Sequence, residues 1–201
     1  MSIGVLGIFS NTLQGIKGAI LLSISHGIVS PALFILVGYI YDRYHSRLIK
    51  FYRGLLTYMP LFTIFFFIFS LANMATPLSV NFISEFLTFI GSFQMNPLLT
   101  VISAISMVLV AGYSIWLYNR ISLGNISRYL NKFKDLIKRE LNLLLLLVII
   151  TLVFGIYPNN IIDSIQYTVS SLLNFPEFLL YSLAPTRMLH SGKPDKLWSL
   201  T

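Results

Sequence analysis

The sequence predicts an all-α polytopic membrane protein, and three observations carry that prediction. Of the 201 residues, 56% are hydrophobic and only 10% are charged, where a soluble domain carries roughly a quarter charged residues. Charge is missing altogether from four stretches, 18–41, 54–84, 86–119 and 141–162. Each meets or exceeds the roughly 20 residues a helix needs to cross a bilayer. The lysines and arginines behind the net charge of +7 gather between these stretches, as they do where they orient membrane helices.

That placement argues against nucleic acid as the partner of the positive charge. The chain has no cysteine, which removes a disulfide framework, a thiolate metal site and a thiol nucleophile together. Histidines occur at 26, 45 and 190 only, too scattered to suggest a metal cluster by spacing. No phosphate-cradling glycine loop is present, and GVLGIF near the start lacks the spacing of a dinucleotide turn. A cofactor, if one is involved, is therefore expected outside this chain.

In chain order, residues 1–10 (MSIGVLGIFS) carry neither the basic start nor the cleavage site of a signal peptide. They make half a span, so a membrane helix is expected to begin before Met1 and the chain to be part of something longer. A full span follows at about 18–41, with Lys17 snorkelling at its entrance. The basic loop DRYHSRLIKFYR (42–53) leads into a long apolar stretch, 54–93. Another span covers about 97–119, a second basic loop covers 120–140, and the last span, about 141–157, ends at YPNN. The tail beyond Asn159 is mixed, with Pro176 and Pro185. The basic loops are expected to orient the chain and to touch lipid headgroups.

The stretch 54–93 is too long for one crossing: about 40 residues make about 60 Å of helix, nearly twice the hydrocarbon core. Two short spans would put the two basic loops on opposite sides of the membrane. One broken span puts them on the same side, which the positive-inside rule favours. A single discontinuous helix interrupted near Pro77 is therefore expected. Pro77 removes a backbone donor, and the groups it frees must be buried in protein or face a wet cavity. Asn73, Thr76, Ser79, Asn81 and Ser84 surround the break, and all can bond freed carbonyls or water.

Glu85 follows Pro77 by about two turns and is the acid this setting has to explain. A carboxyl kept from water there can take up and release protons near neutral pH, and broken helices beside a titratable group recur in ion transporters. The alternative is a structural carboxyl, neutral or tied to one cation. His26, near the centre of span 18–41, can pass a proton between its two nitrogens, with Ser23, Ser25 and Ser30 ordering water. It can equally be a neutral histidine bonding a neighbouring helix. Tyr113 and Ser114 are further candidates for a polar axis, with packing as their alternative. His45 and His190 sit in polar segments and are expected to be solvated.

The strings SHGIVSPALFILVGYIYDRYHSR, MPLFTIFFFIFSLANMATP, FISEFLTFIGSFQMNPL and AGYSIWLYNRISLGN resemble subunit 4 of NADH dehydrogenase (ubiquinone), an antiporter-like, proton-pumping membrane subunit family of respiratory complex I. The match is nearest to mitochondrial versions from plants and fungi and covers about residues 1–170. The resemblance implies the second half of an antiporter-like helical bundle, one of two inverted repeats that each contain a discontinuous helix. It matches Glu85 to the family's acid on the second broken helix and His26 to its histidine on the preceding helix. Leu78 and Ser84 stand where the family carries glycine, which predicts a tighter, less hydrated break. The first repeat has no counterpart here, and neither does the tail, 171–201.

The implied function is proton translocation in the membrane arm of NADH:ubiquinone oxidoreductase, a translocase. NADH, FMN, iron–sulfur clusters and ubiquinone would be held by partner subunits, and none by this chain. The implied partners are other complex I membrane subunits and membrane lipids, and the implied place is the mitochondrial inner membrane. Two alternatives stand beside it: a subunit of a multisubunit sodium/proton antiporter, and an inactive fragment with only a packing role.

Overall fold

A computed structural model describes the backbone of residues 2–127 and 134–183, with side chains through residue 173. Among the described residues there are seven α-helices and two short 3-10 turns, and no strand.

Helix α1 (Ser2–Phe9) packs on α2 (Leu13–Tyr44). Thr12 caps the start of α2, its hydroxyl accepting from the Gly15 N–H at 3.1 Å, a standard way to satisfy a free amide at a helix start. With 32 residues, α2 is about 48 Å long and spans more than the hydrocarbon core. His45 ends it in a left-handed conformation, φ 51°, and is exposed as expected.

The next residues correct one boundary. Gly54 to Met59 do not join the broken helix; they form a turn over Leu55–Thr57 before α3 (Pro60–Asn73) begins. Gly54 has φ +73°, and the residue before a proline is pushed out of helical geometry, so the helix starts at Pro60. The break spans residues 74–79, and α4 (Val80–Met95) completes the crossing. At 14 and 16 residues, α3 and α4 reach about 21 Å and 24 Å, and neither alone spans the core.

Asn96 ends α4 and starts α5 (Pro97–Ser122), its side chain accepting from the Leu99 N–H at 3.2 Å. Helix α6 (Lys138–Ile156) follows, then α7 (Asn159–Leu183). The mixed tail read from the sequence is thus helical well past Asn159. Helix α7 runs through Pro176 and past position 171, packs on α2, and buries Val169. Residues 184–201, with His190, lie outside the described part. Helices α2, α5 and α6 are each long and apolar enough to cross a membrane.

Both basic loops lie at one end of the bundle. Arg43, in the last turn of α2, pairs with Glu140 of α6 at 2.7 Å. It also donates to the carbonyls of Lys134 and Asp135. The Ser127 N–H donates to the Arg53 carbonyl at 3.3 Å. Asp135 reaches from the second loop to the start of α3, where its carboxylate accepts from the N–H groups of Leu61 (2.8 Å) and Phe62 (3.2 Å). An aliphatic and aromatic core fills this half, built from Ala32, Leu36, Met59, Phe62, Phe69 and Leu144 among others.

Candidate functional site

The break is built by a helix stop, a proline and a helix start. The stop is a Schellman motif: the Thr76 N–H bonds the Leu71 carbonyl and the Ala75 N–H bonds the Ala72 carbonyl, with Ala75 in the left-handed region at φ 55°. Helix α3 therefore ends before Pro77, which prevents it from resuming. Leu78 is also left-handed, φ 77°, at a position where glycine is the residue without strain. Ser79 then caps α4, its hydroxyl accepting from the Phe82 N–H at 3.4 Å and donating to the Thr76 carbonyl at 2.7 Å.

The carbonyls freed by the break find partners within the protein. The Thr76 hydroxyl donates to the Leu71 carbonyl at 3.1 Å, and the Asn81 amide donates across the break to the Ala72 carbonyl at 2.9 Å. The Asn81 Oδ1 atom is buried without a hydrogen-bond partner among the described residues. Asn73 is half-buried, and no described group bonds its side chain. Gly155 of α6 closes the break from outside: a Cβ there would collide with the Leu78 carbonyl, so only glycine lets α6 approach this far. Sequence reasoning missed Gly155, Ala75 and Asp135.

Glu85 lies in the second turn of α4. The buried stripe of that helix is small and polar, with Asn81, Ser84, Thr88, Gly91 and Ser92 at helical spacing. It meets α2 at close range. A Cβ on Gly91 would collide with the Gly15 backbone, and one on Gly18 would stand 2.9 Å from the Leu87 carbonyl carbon. Further along, the Ser25 and Ser84 hydroxyls, both fully buried, lie 3.4 Å apart. The helices run antiparallel, and this seam of small residues is how membrane helices approach closely.

That seam places both candidate proton carriers. His26 follows Ser25 and Glu85 follows Ser84, so the two stand at the same depth on facing helices. Each is half-buried. Among the described residues neither the Glu85 carboxylate nor the His26 ring has a hydrogen-bond partner, and the one ion pair is Arg43–Glu140 at the far end of the bundle. Among the described residues no lysine or arginine side chain pairs with Glu85. The wider candidates separate. Ser114 is buried and donates to the Val110 carbonyl of its own helix, whereas Tyr113 is exposed on the outer face of α5, away from the seam.

Residues 1–111 match the family model described as NADH:quinone oxidoreductase/Mrp antiporter, TM. NADH-ubiquinone oxidoreductase chain 4 of Mycosarcoma maydis is 58% identical over 174 residues, 86% of this chain and 36% of the relative. Its counterpart in Arabidopsis thaliana is 44% identical over 179 residues, 89% of this chain and 36% of the relative. Among solved structures, respiratory complex I from Thermus thermophilus with bound NADH contains a chain of the same fold. There the TM-score is 0.77 at 28% identity, over 85% of this chain and 37% of that one. The chain thus spans a little over a third of the length of the relatives it matches.

Proposed function

Because this chain belongs to the NADH:quinone oxidoreductase/Mrp antiporter membrane family, we propose that it forms part of a proton-translocating membrane subunit of NADH:ubiquinone oxidoreductase, in the mitochondrial inner membrane. One observation carries the proposal: Glu85 is a half-buried carboxylate with no hydrogen-bond partner among the described residues, beside the only break in the bundle's described spans and level with His26.

In this proposal Glu85 takes up a proton from one side and releases it to the other when rearrangement elsewhere in the complex alters its surroundings. His26 passes the proton between its ring nitrogens, and water at the break links the two. The satisfied carbonyls of Leu71 and Ala72 hold the break open without leaving backbone groups exposed to lipid. NADH, FMN, iron–sulfur clusters and ubiquinone belong to other subunits of the complex, and a chain without cysteine supplies no thiolate for a cluster. Relatives in a fungus and a plant that are named NADH-ubiquinone oxidoreductase chain 4 support the reading, and the family description also names Mrp antiporters, which favours sodium/proton exchange as the second reading.

The test is Glu85→Gln in the native complex, with NADH-driven proton uptake measured beside electron transfer to ubiquinone. Pumping and coupled turnover fall by about tenfold or more while the complex assembles. Unchanged pumping removes Glu85 from the path. Pumping that depends on sodium favours the antiporter reading.

A further inference from the structure

The strongest feature the proposed function leaves unused lies on the outer face of α5 at the basic end. Arg53, Trp116, Asn119, Arg120, Leu123 and Gly124 line an open cleft of about 340 Å³. Gly124, at φ +95°, has no side chain, and the Arg53 Nε atom stands 2.8 Å from where its Cβ would be. The guanidinium therefore lies across the loop that follows α5, near Arg120 in the last turn of that helix. Neither guanidinium has a carboxylate or hydrogen-bond partner among the described residues.

Below the cleft, most of the surface of α5 is exposed and apolar, and one track of it leads to the cleft. Leu98 (72% exposed), Ile102, Ile105, Leu109 (68%), Tyr113 and Trp116 (62%) recur at intervals of three and four and lead directly to Arg120. Two unpaired guanidiniums at the end of a membrane-spanning helix, an indole one turn inside them and an apolar track below form the profile of a phospholipid: phosphate, interface and acyl chain.

We propose that Arg53 and Arg120 form a binding site for the phosphate of an anionic phospholipid, whose acyl chain lies along the Leu98–Trp116 stripe. A guanidinium offers a planar fork that fits phosphate oxygens, which an ammonium does not. The stripe commits the ligand to a membrane lipid, because a free phosphate would use the cleft and leave the track without a role.

The test uses the full chain with Trp198→Phe, so that Trp116 is its single tryptophan, in phosphatidylcholine vesicles. In these, about one lipid in five is phosphatidylglycerol brominated on its acyl chains, and a matched set carries brominated phosphatidylcholine instead. Bromine quenches indole fluorescence on contact. Quenching by the anionic lipid shows about fivefold tighter association than quenching by the zwitterionic one, and high salt reduces the difference. Arg53→Gln with Arg120→Gln abolishes the preference, while Arg53→Lys with Arg120→Lys retains part of it. Arg47→Gln, which removes a cation stacked on Tyr41 rather than one in the cleft, leaves it unchanged.

Equal quenching by both lipids overturns the proposal. So does a preference that survives the double glutamine variant or falls equally with Arg47→Gln, since either means diffuse surface charge. Displacement of the anionic lipid by millimolar inorganic phosphate also overturns it and makes the cleft a site for soluble anions. An acidic segment of a neighbouring subunit as occupant is revealed if the intact complex buries Trp116 from both lipids, and that result too overturns the lipid assignment.

Discussion

Helices α4 and α5 follow one another around Asn96, and α4 buries far more of its length than α5 does. Helix α4 turns Asn81, Ser84, Thr88, Gly91 and Ser92 inward. Helix α5 buries only Thr100, Ser114, Ile121 and Ser122 and keeps a stripe of leucine, isoleucine and aromatic side chains outside. In water the apolar stripe would be the one to hide. In a bilayer, lipid tails solvate leucine as well as protein does, so close packing and hydrogen bonding decide what faces inward. The polar seam is also where Glu85 lies, with no cation side chain paired to it among the described residues.

The sharpest way to break this contrast is to place the same side chain on both helices. Gly91→Leu drives atoms into the Gly15 backbone, whereas Gly112 of α5 has nothing within 4 Å of its would-be Cβ. Gly91→Leu costs about 3 kcal/mol or more and abolishes assembly on native gels. Gly112→Leu assembles normally, and equal losses would show that α5 is as closely packed as α4. A smaller effect is expected at Asn81. Asn81→Leu strips the Ala72 carbonyl of its cross-break donor and costs about 1–3 kcal/mol in thermal melting. Ser103→Leu on α5, where the hydroxyl bonds only its own helix, stays within about 0.5 kcal/mol.

The smallest effect has the opposite sign. Ala75→Gly relieves a left-handed alanine and raises the melting stability by about 1 kcal/mol. A loss instead would mean that the alanine methyl group, buried in this structure, contributes more by packing than it costs in strain.

These features differ in how far the sequence discloses them. The spans were legible because a bilayer demands about 20 apolar residues and charges mark the ends. The single broken crossing was legible because charge bias chose between one crossing and two, and the contacts of Arg43, Arg53 and Asp135 now put both basic loops at one end. Glu85 and His26 were legible as titratable groups inside apolar runs. What remained hidden depended on residues far apart in sequence. Asp135 caps a helix that begins 75 positions before it, and Gly155 matters only because the Leu78 carbonyl arrives there. The stop at Ala75 was hidden for another reason: a Schellman motif normally announces itself with glycine, and here it uses alanine. The long α7 was missed because the residues beyond Asn159 are mixed rather than continuously apolar.

The segment from Asp135 through α6 brackets α3, with one contact at its start and one beyond its end. Asp135, just ahead of α6, grips the first amides of α3, and Gly155, 20 positions later, rests on the Leu78 carbonyl beyond its other end. Arg43 and Glu140 pin that first contact to α2. Like the jaws of a caliper, the contacts fix the distance from the basic face to the break at the length of one rigid rod, about 28 Å of helix. A push along α6 therefore cannot be absorbed at the loop. It arrives at Leu78, two turns from Glu85, so a displacement along α6 has a stiff route to the carboxylate.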